Sequence, residues 1–434
     1  MNKKNLLLAL VACVGFINTT FSQTEAVNVK YRRSSLHTII VESENFPRKD
    51  VVLKAYQNAP FPDKYNDHSI GDKSFDPAKY PLTAEEKSGL YKSSKMGKLA
   101  ASTGEVTIDS VNRELSVRIE KYLAQEKIAN KLIAKWFNRQ DDGSFDMNLI
   151  GERGSYDATE MQANIAKGSA RGVSSLADAG EELIGNTFVV INKMNFVENE
   201  PAARIARDIA KSQANGIKLP VAQQAALKAA DETYEKSKEG YSVWATAFLY
   251  KLSWNDSISA VFYNDLWINK GTSDAARKEA FDKANFNLEF VGDEKATGLV
   301  LFSLKETRTE DQIIELATVR TIDAVYAKLQ KKYDVFKTKT PILGVDPITA
   351  KIGMKEGLEG GESFEILEQS IDPKTGMTVY NSKGKITVDK DLIWDNRYNA
   401  GDGPVEGTPA PTLDRTTFKG GKKLYPGLLI RQTK

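Results

Sequence analysis

The sequence predicts an α+β, multi-domain chain: a central α/β domain that carries a helical insertion, followed by a small C-terminal β-barrel. Three observations point there. Helical periodicity alternates with β-branched runs between residues 105 and 335. Two helices, each started by proline and closed by glycine, sit between two of those runs. From residue 348 to 434 the chain is made of short alternating runs broken by turn signals.

Taken in order, residues 23–104 read as an extended N-terminal arm with short strands at 27–32 and 37–41. The prolines and the Asn-Asp and Gly-Asp pairs between Asn45 and Pro81 predict a long ordered loop. Leu115, Ile119, Tyr122, Leu123, Ile128, Leu132, Ile133 and Trp136 then recur at threes and fours, which predicts a helix over 108–138. Gln140-Asp141-Asp142-Gly143 ends it, and Phe145, Met147 and Leu149 alternate as a short strand. An alanine-rich helix is expected over 158–183, with Gly168 and Gly172 each weakening it by about 1 kcal/mol.

A strong strand opens at 187–191 and runs toward Val197. Pro201 and Gly216 bound one helix, and Pro220 and Gly240 bound the next, so the insertion covers 199–240. Strands are expected at 241–253 and 257–267, the first pairing with 187–197 across the insertion. Further strands are expected at 289–291 and 299–304, and a helix over 310–329 completes the domain at about residue 335. Residues 336–347, holding Pro341 and Pro347, read as a linker. In the tail, Asp372-Pro373-Lys374-Thr375-Gly376 and Asn381-Ser382-Lys383-Gly384 are hairpin turns, and 401–411 is a loop that interrupts the barrel.

Residues 1–22 form a secretory signal: Lys3 and Lys4 precede an apolar run over 6–17, and Thr19-Thr20-Phe21-Ser22 leads into Gln23. The chain is therefore expected to be exported, to the periplasm, outer membrane or surface of a Gram-negative bacterium. Leu10-Val11-Ala12-Cys13 also reads as a lipobox. The new N-terminus is either Gln23, which leaves the chain free, or an acylated Cys13, which anchors it to a membrane. Lys3 and Lys4 account for the whole excess of 60 basic over 58 acidic residues, so the exported chain has no net formal charge. That argues against a nucleic-acid partner. Cys13 is the one cysteine, so removal of the signal leaves neither disulfide nor thiol chemistry.

Catalytic signals are sparse. The two histidines, His37 and His68, stand 31 positions apart without a His-Glu-x-x-His or Gly-x-Ser-x-Gly motif. No phosphate-cradling glycine loop occurs, and Gly357-Leu358-Glu359-Gly360-Gly361-Glu362 would repel a phosphate. Asp141, Asp142 and Asp146 lack the ligand spacing of a calcium loop and read as a solvated turn. No catalytic residue, cofactor or metal ligand is therefore assigned. The aromatic residues Trp244, Phe248, Trp254, Phe262, Tyr263 and Trp267 have two readings, a core and a binding surface. Trp244, Trp254 and Trp267 form the candidate binding patch.

Two stretches resemble known families. Ile352-Gly353-Met354-Lys355-Glu356-Gly357-Leu358-Glu359-Gly360-Gly361-Glu362-Ser363-Phe364-Glu365-Ile366, with Gly384-Lys385-Ile386-Thr387-Val388, resembles the small C-terminal barrel of bacterial flagellar assembly protein T and related envelope proteins. Glu362 stands where that barrel has aspartate. The second stretch is a helix ending at 132–137 and then Phe145-Asp146-Met147-Asn148-Leu149-Ile150-Gly151-Glu152-Arg153-Gly154. It is similar to the core of the curli secretion lipoprotein family, in which a strand ends in Glu-Arg; the insertion at 201–240 departs from that family's hairpin. These resemblances imply a non-enzymatic envelope protein acting in assembly or adhesion. Its partner is expected to be another protein or a second copy, engaged through the central sheet and its helical insertion. The alternative is a glycan-binding protein or a carboxylate-based glycoside hydrolase, with peptidoglycan or another glycan as the partner.

Overall fold

The computed structural model describes residues 31–92, 108–156, 182–301, 308–372, 378–398 and 413–433. The signal region with Cys13, residues 158–181, the turn following Asp372 and the 401–411 loop lie outside the described residues. The fold is α+β, with a mixed sheet flanked by helices and a closed six-stranded barrel.

The sheet is built on β1 (Ser35–Val41), with the short strands β2 (Asn66–Asp67) and β3 (Ser74–Phe75) pairing parallel at its two ends. Beyond β1 come β4 (Thr187–Glu198), parallel to it, and then β5 (Gly240–Leu252) and β6 (Leu288–Leu301), each antiparallel to its neighbour. Phe188-Val189-Val190-Ile191 is apolar at every position because β4 is covered on both faces. Phe188, Val190 and Met194 meet one helical layer, and Val189 and Ile191 the other.

The first layer is α1 (Lys49–Asn58) and a long helix that is α10 in chain order (Glu310–Lys332). Thr309 and Gln312 form a capping box: Thr309 Oγ1 accepts from the Gln312 N–H, and Gln312 Oε1 from the Thr309 N–H at 2.9 Å. Buried Asn192 of β4 ties this layer to the sheet, donating to Tyr56 Oη at 2.8 Å and Tyr326 Oη at 3.2 Å. The opposite layer is α3 (Ile108–Gln125) and α4 (Ile128–Trp136), which follow the short α2 (Ala84–Lys92).

Several expectations are corrected. Residues 31–92 are no separate arm: β1 lies inside the sheet and α1 packs on α10, because Leu36, Ile39, Ile40 and Val41 are apolar toward both faces. The 45–81 loop contains α1, whose Val52, Ala55 and Tyr56 are buried. The single helix over 108–138 is two, broken at Lys127, which takes a left-handed φ of 49°. Phe145 makes only an isolated bridge to Asn269, and the chain enters α5 (Asn148–Tyr156) where the strand ending in Glu-Arg was expected. The strand at 257–267 is α8 (Asp256–Val261) followed by a π turn, Phe262–Leu266. Asn255 Oδ1 decides this, accepting from the N–H groups of Ser257 and Ile258. The strands at 289–291 and 299–304 belong to the single strand β6, through Leu301.

The linker at 336–347 is part of the barrel. β7 (Thr340–Val345) and β8 (Ile348–Ala350) pair as a hairpin around Asp346-Pro347, and Pro341 near a strand start is tolerated. The other strands are β9 (Ser363–Ile371), β10 (Thr378–Val388), β11 (Thr416–Gly420) and β12 (Leu429–Gln432). They close in the order β10-β11-β8-β7-β12-β9 around Ile342, Phe364, Ile366, Ile386, Phe418 and Ile430.

Barrel and sheet meet on α10. The turn Met354–Glu356 packs against that helix, and a Cβ at Gly357 would come within 3.1 Å of the Ala327 Cβ. Lys355 Nζ lies 3.7 Å from Asp323 Oδ1 of α10. Burial pushes the Asp323 carboxyl up to about 7, against the opposing pull of Lys355. Its folded value lies above the unfolded one, so its contribution to stability is fully present below about pH 4 and is lost as pH rises through 7. Asp323→Asn should therefore raise the melting temperature at pH 8, by the equivalent of about 1 kcal/mol or more, and leave it near wild type at pH 4. A variant no more stable than wild type at pH 8 would contradict this account.

Candidate interaction surface

On the side of α3 and α4, β4 and β5 run out past their helical cover, and the insertion grows from their far end. It consists of α6 (Glu200–Asn215) and α7 (Pro220–Ser237), an antiparallel pair. The base is clamped by side chains: Asn199 Nδ2 donates to the Glu239 carbonyl at 3.2 Å, and Ser242 Oγ donates to Asn199 Oδ1 at 2.8 Å. Tyr241 Oη donates to Glu310 Oε1 at 2.7 Å, which fixes the base to the start of α10.

Alanine decides how the two helices meet. Ala203 and Ala214 of α6 and Ala230 of α7 are buried residues of the pair, and Lys211 bridges to Asp231 at 2.6 Å. Tyr234 Oη donates to Glu200 Oε1 at 3.0 Å and its ring lies under the Arg207 guanidinium. Small residues on the shared face turn the larger apolar ones outward. Ile205 is 61 % exposed, Ile209 54 %, Leu219 65 % and Val221 78 %. Ile205 and Ile209 stand one turn apart on the same side of α6. Helices of 16 and 18 residues that bury so little are marginal in water unless something packs against them.

Apolar exposure continues onto the sheet. Trp244 of β5 is 44 % exposed and pairs opposite Asn195, which makes Val197 of β4, also exposed, its diagonal neighbour at roughly 7–8 Å. Among the described residues no helix covers this end of the sheet face.

The structure separates the predicted patch. Trp254 and Trp267 come together, each half-buried and each within 6 Å of the Phe137 and Phe262 rings. Trp267 also stacks on Phe145 at 5.6 Å and donates from Nε1 to Asn269 Oδ1 at 2.8 Å. These two tryptophans close a hydrophobic corner. Trp244 stands apart from them, beside the insertion. Ile205, Ile209, Leu219 and Val221 were not singled out from sequence. Their signal was present as two stripes on α6, alanines at 203, 206, 210 and 214 and isoleucines at 205 and 209.

Both histidines are interior. His68 stacks on Trp136, donates from Nε2 to the Leu132 carbonyl at 2.9 Å and accepts at Nδ1 from Arg153 at 2.9 Å. Burial and the Arg153 charge hold it far below the usual histidine range, which fixes it neutral in this tautomer. Burial lowers His37 to about 4. The acidic turn is held by protein groups: Asp142 Oδ1 accepts from the Ser144 N–H, and Lys278 donates to the Asp141 carbonyl. Among the described residues no cluster of three His, Cys, Asp or Glu is placed to hold a metal, and no helix is long and apolar enough to cross a membrane.

No protein-family model matches this chain, and no curated protein matches it.

The two kinds of tryptophan should respond differently to truncation. Trp267→Ala should cost about 2–4 kcal/mol in urea unfolding, because it opens the Phe137 corner. Trp244→Ala should stay within about 0.5 kcal/mol of wild type, as expected for a solvent-facing site. Equal losses for both would show that Trp244 is part of the core.

Proposed function

We propose that this protein is an exported envelope component that works by protein–protein interaction, assembling with a second copy of itself through α6 and α7. The observation that carries this reading is Ile205 and Ile209 exposed along α6, with Leu219 and Val221 exposed at the turn into α7, on a helix pair that buries little else. Monomeric proteins rarely leave contiguous apolar faces uncovered, and those that do use them for binding.

Charge favours a second copy as the occupant. α6 carries three basic and two acidic residues, and α7 two basic and three acidic. A two-fold arrangement that sets α6 of one copy against α7 of the other brings these opposite balances together twice. The signal at 1–22 supports export, and the resemblance of the 352–366 and 384–388 stretches to an envelope-protein barrel supports a site of action in the cell envelope. A Gram-negative outer membrane is the setting these features fit together.

The test is the mass of the exported chain in solution. Sedimentation equilibrium should give a concentration-dependent dimer or higher oligomer for wild type. The double substitution Ile205→Asp, Ile209→Asp should give a folded monomer that still unfolds cooperatively, because exposed positions tolerate charge, with a melting temperature that no longer depends on protein concentration. A wild-type monomer, or a variant of unchanged mass, overturns the proposal.

A further inference from the structure

The outer face of the barrel carries positive charge that its own carboxylates do not balance. Residues 415–434 hold six basic side chains and no acidic one. Strand alternation decides where they stand. Ile386, Val388 and Phe418 belong to the barrel core, so Lys385 on β10 and Lys419 on β11 point outward, and both are exposed. Thr387 pairs with Lys419, which makes Lys385 the diagonal neighbour of Lys419 at roughly 7–8 Å.

The connection from β11 to β12 adds two more. Gly421, at a φ of 75°, turns the chain so that Leu424 lies on the barrel core; a Cβ there would stand 2.7 Å from Leu424 Cδ1. Lys422 and Lys423 are left exposed on this turn. Tyr425 Oη donates to Glu368 Oε1 at 2.8 Å, and Lys383 Nζ lies 2.6 Å from Glu368 Oε2. The turn is thereby tied to the β9–β10 pair.

The carboxylates of this face are already matched. Glu365, which pairs opposite Lys385, accepts from Arg431 at 2.6 Å. Glu368 is bridged by Lys383, and Asp389 by Lys419 at 2.9 Å. Glu362 closes its own turn, accepting from the Glu359 and Gly360 N–H groups. Lys385, Lys422 and Lys423 make no ion pair among the described residues, so the face keeps an excess of three positive charges.

The outside of a closed barrel is convex, and ammonium groups spread over it do not enclose a small anion. They suit an extended array of negative charge. Tyr425, 37 % exposed beside them, adds an amphipathic ring of the kind that sits at a lipid–water boundary. We infer that this face of the barrel docks on an anionic lipid bilayer. The choice of a bilayer rests on the envelope setting proposed above; the contact itself is separate from assembly through the arm.

Cosedimentation of the exported chain with lipid vesicles tests the contact, and cell fractionation reads the envelope setting separately, so either can fail alone. Vesicles of about one-third phosphatidylglycerol in phosphatidylcholine should bind the protein, and phosphatidylcholine alone should not. Binding should be lost at about 1 M salt, where the screening length is about 3 Å. Lys385→Gln, Lys422→Gln and Lys423→Gln together should weaken it about a hundredfold in a folded protein. A control with the same change in net charge, Lys54→Gln, Lys87→Gln and Lys270→Gln, should bind like wild type. Those three lysines are exposed on α1, on α2 and ahead of α9 (Ala275–Lys283). Absence of binding to anionic vesicles, equal binding to neutral ones, or the same affinity for both triple variants overturns the inference.

Discussion

Helix α10 carries apolar or small residues around most of its circumference, and the rest of the structure is arranged to cover them. Thirteen of its 23 residues are buried. Ile313, Ile314, Val325 and Leu329 are each fully removed from water, which favours folding by about 1.5–3 kcal/mol apiece. No single neighbour could cover so wide a surface. The strands β5 and β6 take one side, α1 another, and the Met354–Glu356 turn of the barrel a third. This is why the N-terminal segment is drawn into the central domain and why the barrel is seated against it. Of the polar groups that had to enter with the helix, Tyr326 accepts from Asn192 and Asp323 faces Lys355 with its carboxyl raised, while Thr321 Oγ1 is buried without a partner among the described residues.

The same logic explains where the molecule is unfinished. On the α10 face Tyr241 is still buried at the base of the insertion, but on the opposite face the cover from α3 and α4 ends before β4 and β5 do. Past that point the strands carry Val197 and Trp244 in the open and then hand the chain to two helices joined mainly through alanine. The base of this arm is bonded through Asn199, Ser242 and Tyr241, while Ile205 and Ile209 along α6 and Leu219 and Val221 at its tip are uncovered. A firmly mounted element with an unburied apolar face is the form expected of a contact surface.

Much of this was legible in the sequence, for physical reasons that differ by element. The 187–197 and 241–253 pairing and the insertion between them were readable because proline and glycine mark helix ends through backbone restriction alone. α10 was readable because its apolar spacing is dense, and the barrel because its short runs alternate. The elements misread were governed by single residues or by distant partners. Asn255 turned an alternating run into a helix by capping it, and Lys127 split a periodic stretch without changing the period. α1 is held by α10, more than 250 positions away, and no local pattern records that. The tryptophans illustrate the limit most directly. Composition grouped Trp244, Trp254 and Trp267, whereas the fold put two in a corner with Phe137 and left one beside the arm. The exposed isoleucines were overlooked because spacing at threes and fours does not say which stripe, alanine or isoleucine, meets the neighbouring helix.

The central claim is that α6 and α7 are covered in the working form of the protein by a second copy. Amide hydrogen exchange followed across a range of protein concentration measures that cover where it occurs. Protection should rise with concentration within 200–237 and at the adjoining ends of β4 and β5, with α10 and the barrel unchanged. Exchange in 200–237 that stays fast and independent of concentration would contradict the account.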